Sequence, residues 1–179
     1  TGGLVVSGSR MGSGGNVVMR ASGDVRTEEV ITQGGLLGKG GNITIESSGG
    51  AIDVSLGELD AGALGGDGGN ILLETGGDII TESLSTASRE SFEIELELVG
   101  GFELESLALI DELTSSLGVS GSGGNITLRA GGEIVSLGAI DSSSAFGSAG
   151  NISLSAIGDG NLDEIISSAG GIGDGGKIA

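Results

Sequence analysis

Three aspartates end a recurring six-residue word, and paired carboxylates are the catalytic groups of glycoside hydrolases. The words start with Ser-Leu and end in Asp60, Asp111 and Asp141. If successive words stack, Asp111 and Asp141 lie about 5 Å apart, a separation at which two carboxylates can cleave a glycosidic bond. The alternative is a turn aspartate that recurs because the repeat recurs. We favour the turn, because the chain has no His or Tyr to transfer protons and only three Phe on which sugars could stack.

A run of glutamates is the second candidate site. Over residues 92–98 acidic side chains alternate with apolar ones, which places the carboxylates on one side of a strand. Such a stripe could bind Ca²⁺, which takes several oxygen ligands, but it is more typical of a solvated face that discourages lateral association. We therefore expect no resident cofactor or metal, with Ca²⁺ as the one candidate cation. Its candidate ligands are Glu93, Glu95, Glu97, Glu103 and Glu105.

The third set of candidate residues consists of five asparagines, each of which follows a glycine at the start of a similar sequence segment. These residues are Asn16, Asn42, Asn70, Asn125 and Asn151, and Lys177 continues the series. Amides at the same corner of stacked repeats can form a ladder, each hydrogen-bonded to the next. Three of the five also match the N-glycosylation sequon, whereas a structural corner role explains all five. We predict a structural ladder.

The asparagine words also predict the fold. Each leads into alternating apolar and polar residues, as in 126–130, and two further alternating stretches follow at 133–137 and 139–141. This alternation predicts short strands with one buried face, and a unit of about 26 residues with Gly-rich corners predicts an all-β parallel β-helix, or β-solenoid. The absence of Pro agrees with strands that are paired on both sides.

One interval in the series is longer than the others. Asn70 and Asn125 are 55 residues apart, which is close to two periods. We therefore predict a disguised, irregular coil at about residues 91–120, so that residues 1–179 form a single solenoid segment of roughly six to seven coils. A short helix at residues 104–117 is the alternative for part of this coil. We also expect the segment to belong to a longer repeat protein, because the pattern is already under way at Thr1.

Composition excludes several classes of function. The formal net charge of -18 opposes binding to nucleic acid and to anionic lipid, and no apolar run reaches the roughly 18 residues that span a bilayer. Hydrophobic residues make up 37% of the chain, which favours an ordered protein despite the 40 Gly. Without Cys, disulfides and thiolate metal sites are excluded.

The repeat resembles that of a known family. The sequence Gly-Gly-Asn-Ile-Thr-Leu at 123–128, the Ile-Asp-Ser-Ser-Ser segment at 140–144 and the return to Gly-Asn-Ile at 150–152 are similar to the repeat region of filamentous-haemagglutinin-like exoproteins, above all the large cyanobacterial type secreted by the two-partner route. The likeness covers residues 14–178 and weakens at 85–120. It implies a right-handed parallel β-helix that is exported across the outer membrane and displayed extracellularly at the cell surface as a fibre or adhesin. That family's secretion-signal domain precedes its repeats.

Together these observations predict a structural protein and no enzyme. We expect a structural or adhesive segment of a secreted surface fibre, which continues in a longer chain or stacks end to end with copies of itself, and which could contact surface glycans or other cells. The alternative is a carbohydrate-binding or carbohydrate-cleaving β-helix module. That function needs a groove lined by aromatic and basic residues, and the seven basic residues are scattered along the chain.

Overall fold

The computed structural model describes residues 3–89, 121–171 and 173–179, and this part of the chain is all-β. The strands are β1 (Val5–Val6), β2 (Val17–Ala21), β3 (Val25–Arg26), β4 (Val30–Ile31), β5 (Ile43–Ser47), β6 (Ile52–Val54), β7 (Leu59–Asp60), β8 (Ile71–Thr75), β9 (Ile79–Thr81), β10 (Leu84–Ser85), β11 (Ile126–Ala130), β12 (Ile134–Asp141), β13 (Ile152–Ala156) and β14 (Gly160–Ile166).

The strands stack as a β-solenoid, which confirms the predicted fold class. One sheet of five strands has the order β13-β11-β8-β5-β2, and a second sheet of nine strands contains the others. Every strand pair is parallel, and each strand pairs with its equivalent in the neighbouring turn. The result is a stack of about five turns, about 27 residues apart.

We number the coils from their asparagines. Coil 1 is residues 16–41, coil 2 is 42–69, coil 4 is 125–150 and coil 5 is 151–176. Coil 3 consists of residues 70–89 together with 121–124. Each coil contributes one strand to the five-stranded sheet and then two short runs to the nine-stranded sheet; in coils 4 and 5 these two runs merge into β12 and β14.

The number of coils differs from the predicted six to seven. Strand β8 pairs directly with β11, with Ile71 opposite Ile126, and β9 and β10 both pair with β12. The 55-residue interval is therefore one step of the stack. The irregular coil predicted at about residues 91–120 lies outside the described residues, and the direct pairing leaves no position for a coil between β8 and β11.

The core consists of columns of aliphatic side chains, one residue from each coil. Ile43, Ile71, Ile126 and Ile152 form one such column, and each is at most 1% exposed. Burial of a side chain of this size stabilises the fold by about 1.5–3 kcal/mol relative to exposure. At the first strand of the sheet the equivalent side chain, Val17, is only partly buried because it has a neighbouring coil on one side, whereas Ile152 at the other end is also covered by Ile178.

Glycine is needed at the corners because backbones of successive coils approach closely there. The residue before each asparagine is glycine, and a methyl group on Gly124 would overlap the carbonyl oxygen of Gly69 in the coil beneath. Positive φ is not the general reason, since among the described residues only Gly171 has it, with φ 58°. The glycine column consists of Gly15, Gly41, Gly69, Gly124, Gly150 and Gly176.

The last part of each coil, from the end of its third strand run to this glycine, is called the closing corner. In coil 1 the N–H of Gly41 donates to the carbonyl oxygen of Thr32 at 2.7 Å, and in coil 4 the N–H of Gly150 donates to that of Ser142 at 2.8 Å. These bonds close each coil at the glycine that precedes the asparagine of the next coil. They thereby position the asparagine that follows.

Candidate functional site

The five corner asparagines lie one above another on the surface and are hydrogen-bonded in series. In each step the side-chain Oδ1 of one asparagine accepts the backbone N–H of the next, at 2.8 Å from Asn16 to Asn42 and at 2.9 Å in the three later steps. In those later steps the same Oδ1 also accepts the next Nδ2–H, at 3.2 Å. The N–H of Lys177 continues the series with a 3.0 Å bond to Asn151.

This geometry identifies what asparagine supplies at the corner. The main bond runs from backbone to side chain, which sequence reasoning missed because it considered only bonds between amides. The Nδ2 atoms of Asn125 and Asn151, to which a glycan would be attached, are donors within the ladder. Each of these amides thus links its coil to both neighbouring coils.

Buried hydroxyl groups support the ladder from inside the coil. The Oγ1 of Thr32 donates to the carbonyl oxygen of Gly41 at 2.7 Å, and Thr86 and Ser142 make the equivalent bonds to Gly124 and Gly150 at 2.7 and 2.9 Å. All three hydroxyl residues are 0% exposed. Sequence reasoning did not identify them, although a Ser or Thr at a fixed position before a Gly-Asn word was the available signal.

The two described recurring aspartates lie at the ends of strands β7 and β12 of the nine-stranded sheet, where Asp60 is buried and Asp141 is half-buried. Asp60 and Asp141 occupy equivalent positions, and Ser85 of coil 3 lies between them in register. Asp111, the predicted neighbour of Asp141, lies outside the described residues, and the position next to Asp141 in coil 3 belongs to Ser85. The two recurring aspartates that are described, Asp60 and Asp141, therefore do not lie in adjacent coils.

Both described aspartates are held in local turns. The Oδ1 of Asp60 accepts the N–H of Gly62 at 2.7 Å, and that of Asp141 accepts the N–H of Ser143 at 2.8 Å. Each bond spans two residues, which is the geometry of a turn aspartate. This is the structural role that the sequence analysis preferred.

The predicted cation ligands cannot be placed. Glu93, Glu95, Glu97, Glu103 and Glu105 all lie outside the described residues. Within residues 3–89, 121–171 and 173–179 there is no group of three or more acidic side chains arranged to hold a metal ion.

Basic residues are paired with acidic ones across coil boundaries. Arg20 lies 2.6 Å from Glu46, and Arg129 lies 3.4 Å from Glu74. Glu46 and Glu74 are in register, so these four residues form one charged column on the outer face of the five-stranded sheet. The hydrogen bond with Glu46, reinforced by its charge, raises the pKa of Arg20.

Two more such pairs connect coils 1 and 2. Arg26 lies 2.8 Å from Asp53, and Lys39 lies 2.6 Å from Asp67. The hydrogen bond from Lys39, together with the backbone N–H of Ser122, lowers the pKa of Asp67. The basic residues of these four pairs looked scattered in the sequence, yet each has an acidic partner one coil away. That spacing was the signal that could have identified them.

Arg89 connects coil 3 to the acidic surface of coil 2. Its guanidinium group lies 3.7 Å from Glu58 and 3.9 Å from Asp60, and it donates to Ser85 Oγ at 2.6 Å. Burial, followed by the nearby charge of Asp60, raises the pKa of Glu58. This cluster contains acids and a base, but each polar group already has a partner within the solenoid.

Surface depressions in the described part of the chain do not resemble a carbohydrate groove. One, of about 540 Å³, lies between the segment before coil 1 and coil 1 itself, and it is lined by residues that include Val6, Arg10, Ile31, Leu36 and, from coil 2, Leu64. Another, of about 460 Å³, lies beside Arg20, Glu46 and Glu74. Neither is lined by an aromatic residue.

Comparison of the chain with protein-family models, curated proteins and solved structures found no match. None of the described segments forms a helix long and apolar enough to cross a membrane.

Proposed function

We propose that this chain is a structural segment of a secreted, cell-surface β-solenoid fibre, and that it acts as a shaft or adhesive spacer. The observation that carries the proposal is the continuous stack, in which every strand run repeats from coil to coil and the same ladders pass through all five coils. The proposed role is mechanical and needs no catalytic step, metal or cofactor. Export and surface display are supported by the resemblance of the Gly-Asn words to filamentous-haemagglutinin-like repeats.

The outer strands of the stack indicate how such a segment joins its neighbours. In the described residues β2 and β13 are the outer strands of the five-stranded sheet, and the outer side of β13 is already bonded in part to residues 177–179. The N–H of Val17 donates to Asn42 on coil 2, and alternate residues of a strand point their N–H groups to opposite sides, so the N–H of Val18 faces the open side of β2. Open strand edges of this kind pair readily with further strands. We propose that adjacent repeats of a longer chain, or another copy, provide them.

Proline at Val18 tests this proposal. Val18→Pro removes an N–H from the open edge and leaves the pairing of β2 with β5 in place. We expect the 179-residue chain to form end-to-end oligomers whose size increases with concentration in light scattering, and Val18→Pro to reduce them while the unfolding midpoint changes little.

The matched control is Thr44→Pro. Thr44 is the in-register neighbour of Val18 but lies in β5, which is paired on both sides, so this variant should unfold. A discrete wild-type monomer at all concentrations would contradict assembly through the open edges. Negative-stain images of the protein from its native source would test the fibre role itself, because compact single particles would contradict a shaft.

A further inference from the structure

The closing corner of coil 3 has the same hydrogen bonds as the other corners although far more chain lies within it. The N–H of Gly124 donates to the carbonyl oxygen of Thr86 at 2.9 Å, and the Oγ1 of Thr86 donates back to that of Gly124 at 2.7 Å. These two residues are 38 apart in sequence, whereas Thr32 and Gly41, which make the same two bonds in coil 1 at 2.7 Å each, are nine apart. Corner geometry is therefore independent of the length of chain between its two ends.

The two ends of this corner are also bound to coil 2. On one side the N–H of Arg89 donates to Ala63 at 2.8 Å. On the other side the N–H of Ser122 donates to Asp67 Oδ1 at 3.0 Å, and the carbonyl oxygen of Ser122 accepts the N–H of Gly68 at 2.8 Å.

Coil 4 holds the same two ends from above. The N–H of Ser88 donates to the carbonyl oxygen of Ser143 at 3.1 Å, and the N–H of Gly123 donates to Ser148 at 2.9 Å. Both ends are thus fixed by the coils beneath and above them, in the way that an ordinary short corner is fixed.

We propose that the closing corner of coil 3 is an insertion site, because its two ends, at Arg89 and Gly121, are held by the neighbouring coils whatever the length of chain between them. Residues 90–120 are then dispensable for the solenoid, and whatever they contribute to function is separate from the shaft. The inference does not depend on the fibre role, because it concerns how this solenoid carries additional chain.

Coil 2 shows how short the bridge can be. There a single residue, Gly65, joins Leu64 to Gly66. Leu64 is equivalent to Arg89, since each donates its N–H to the coil beneath, at 3.1 and 2.8 Å. Gly66 lies directly beneath Gly121, where a methyl group would overlap its carbonyl oxygen. One glycine should therefore connect Arg89 to Gly121.

The test replaces residues 90–120 with that single glycine. We expect a folded protein with an unfolding midpoint equal to or above that of the wild type. The amide of Ile71, which donates to Asn125 across the boundary between coils 3 and 4 at 3.0 Å, should keep its slow hydrogen exchange. Loss of that protection, or of the cooperative transition, would overturn the proposal, because it would show that the segment is needed to hold these coils together.

A second experiment inserts residues 90–120 at two other positions and compares a closing corner with an ordinary turn. In the shortened protein, residues 90–120 are inserted between Ala145 and Phe146, in the closing corner of coil 4, or between Gly76 and Gly77, in the first turn of coil 3. In that turn the N–H of Gly77 donates to Thr75 Oγ1 at 3.1 Å across the insertion point. We expect the graft in coil 4 to leave the midpoint unchanged and the graft in the turn to lower it. Equal effects at the two positions would overturn the special role of the closing corner.

Discussion

At the residue scale, the corner asparagine is distinguished from similar side chains by having both a donor and an acceptor. Asp would accept the N–H of the next coil but could not donate to the preceding one, and Ser would be too short to place its oxygen where Oδ1 lies. Asn125 uses both functions, because it donates to Asn70 and accepts from Asn151. Asn16, at the start of the ladder, accepts a single bond from Asn42.

Removing amides from the two positions should therefore have different effects. We expect Asn125→Ala to lower the free energy of unfolding by about 1 kcal/mol, since an exposed hydrogen bond contributes modestly, and Asn16→Ala to cost about half as much. Denaturant titration of the two variants measures both values. Equal costs at the two positions would contradict a contribution that depends on the number of ladder bonds.

The pair formed by Lys39 and Asp67 should give a pH-dependent contribution. The pKa of Asp67 is lowered below the ordinary aspartate value of 3.8, first by the hydrogen bond from Lys39 and then by the N–H of Ser122. Its contribution to stability is therefore complete above about pH 4 and is lost as the pH falls through the lowered pKa of the folded state.

Asp67→Asn keeps the oxygen that accepts the Ser122 N–H and removes the charge. We expect the variant to be slightly less stable than the wild type at neutral pH, and the difference to diminish as the pH falls below about 4 and through the lowered pKa of Asp67. Urea unfolding over this range measures it. Asp159→Asn, at an exposed carboxylate of coil 5, controls for the loss of one negative charge. A difference between Asp67→Asn and wild type that persists at the lowest pH would contradict the ion pair with Lys39 as its origin.

At the scale of the element, close contact between successive coils determines which corner positions must be glycine. Successive corners are so close that the carbonyl oxygen of one glycine occupies the space of a Cβ on the next. This spacing permits the strand-to-strand hydrogen bonds to continue through the corner. It also explains why a chain with 40 Gly is ordered, since most of its corner glycines are required by contact between coils.

Two glycine substitutions should show whether glycine is required by close contact between coils or by backbone flexibility. Gly124→Ala places a methyl group against the carbonyl oxygen of Gly69, and we expect it to destabilise the protein by about 3 kcal/mol, as overpacking does. A methyl group on Gly23 would have no atom within 4 Å, so Gly23→Ala should be neutral or stabilise by about 0.5 kcal/mol. Thermal unfolding of both variants measures the contrast. Similar effects at the two sites would contradict close packing as the reason for the glycine column.

At the scale of the whole molecule, most of the few basic residues form ion pairs between neighbouring coils. Arg20, Arg26, Lys39, Arg89 and Arg129 each contact an acidic residue of a neighbouring coil. These five are most of the seven basic residues, so the remaining surface carries the excess of negative charge. Such a surface favours solubility and disfavours contact with polyanions.

The order and register of the coils could be predicted from the sequence because each coil repeats the same word. The spacing of the asparagines gives the pairing of Val17 with Ile43, of Ile43 with Ile71 and of Ile126 with Ile152. It does not give the pairing of Ile71 with Ile126, because an interval of 55 residues suggests two coils.

The count of coils could not be predicted in the same way. Residues 106–111 resemble residues 136–141 more closely than the corresponding residues of coil 3 do, because coil 3 has a shorter turn before Leu84. Counting residues 70–89 with 121–124 would have shown a complete coil. The ion pairs and buried hydroxyl groups were missed because each partner lies far along the chain and no local pattern connects them.

The long interval within coil 3 also determines how the chain would respond to being pulled. Tension along the solenoid axis peels coils from the end of the stack one at a time, and each ordinary coil of 26 residues releases about 90 Å of extended chain. The starts of coils 3 and 4 are 55 residues apart, so freeing the chain between them can yield at most about 190 Å of extended chain. In a single-molecule pulling experiment the longest step should therefore come from coil 3.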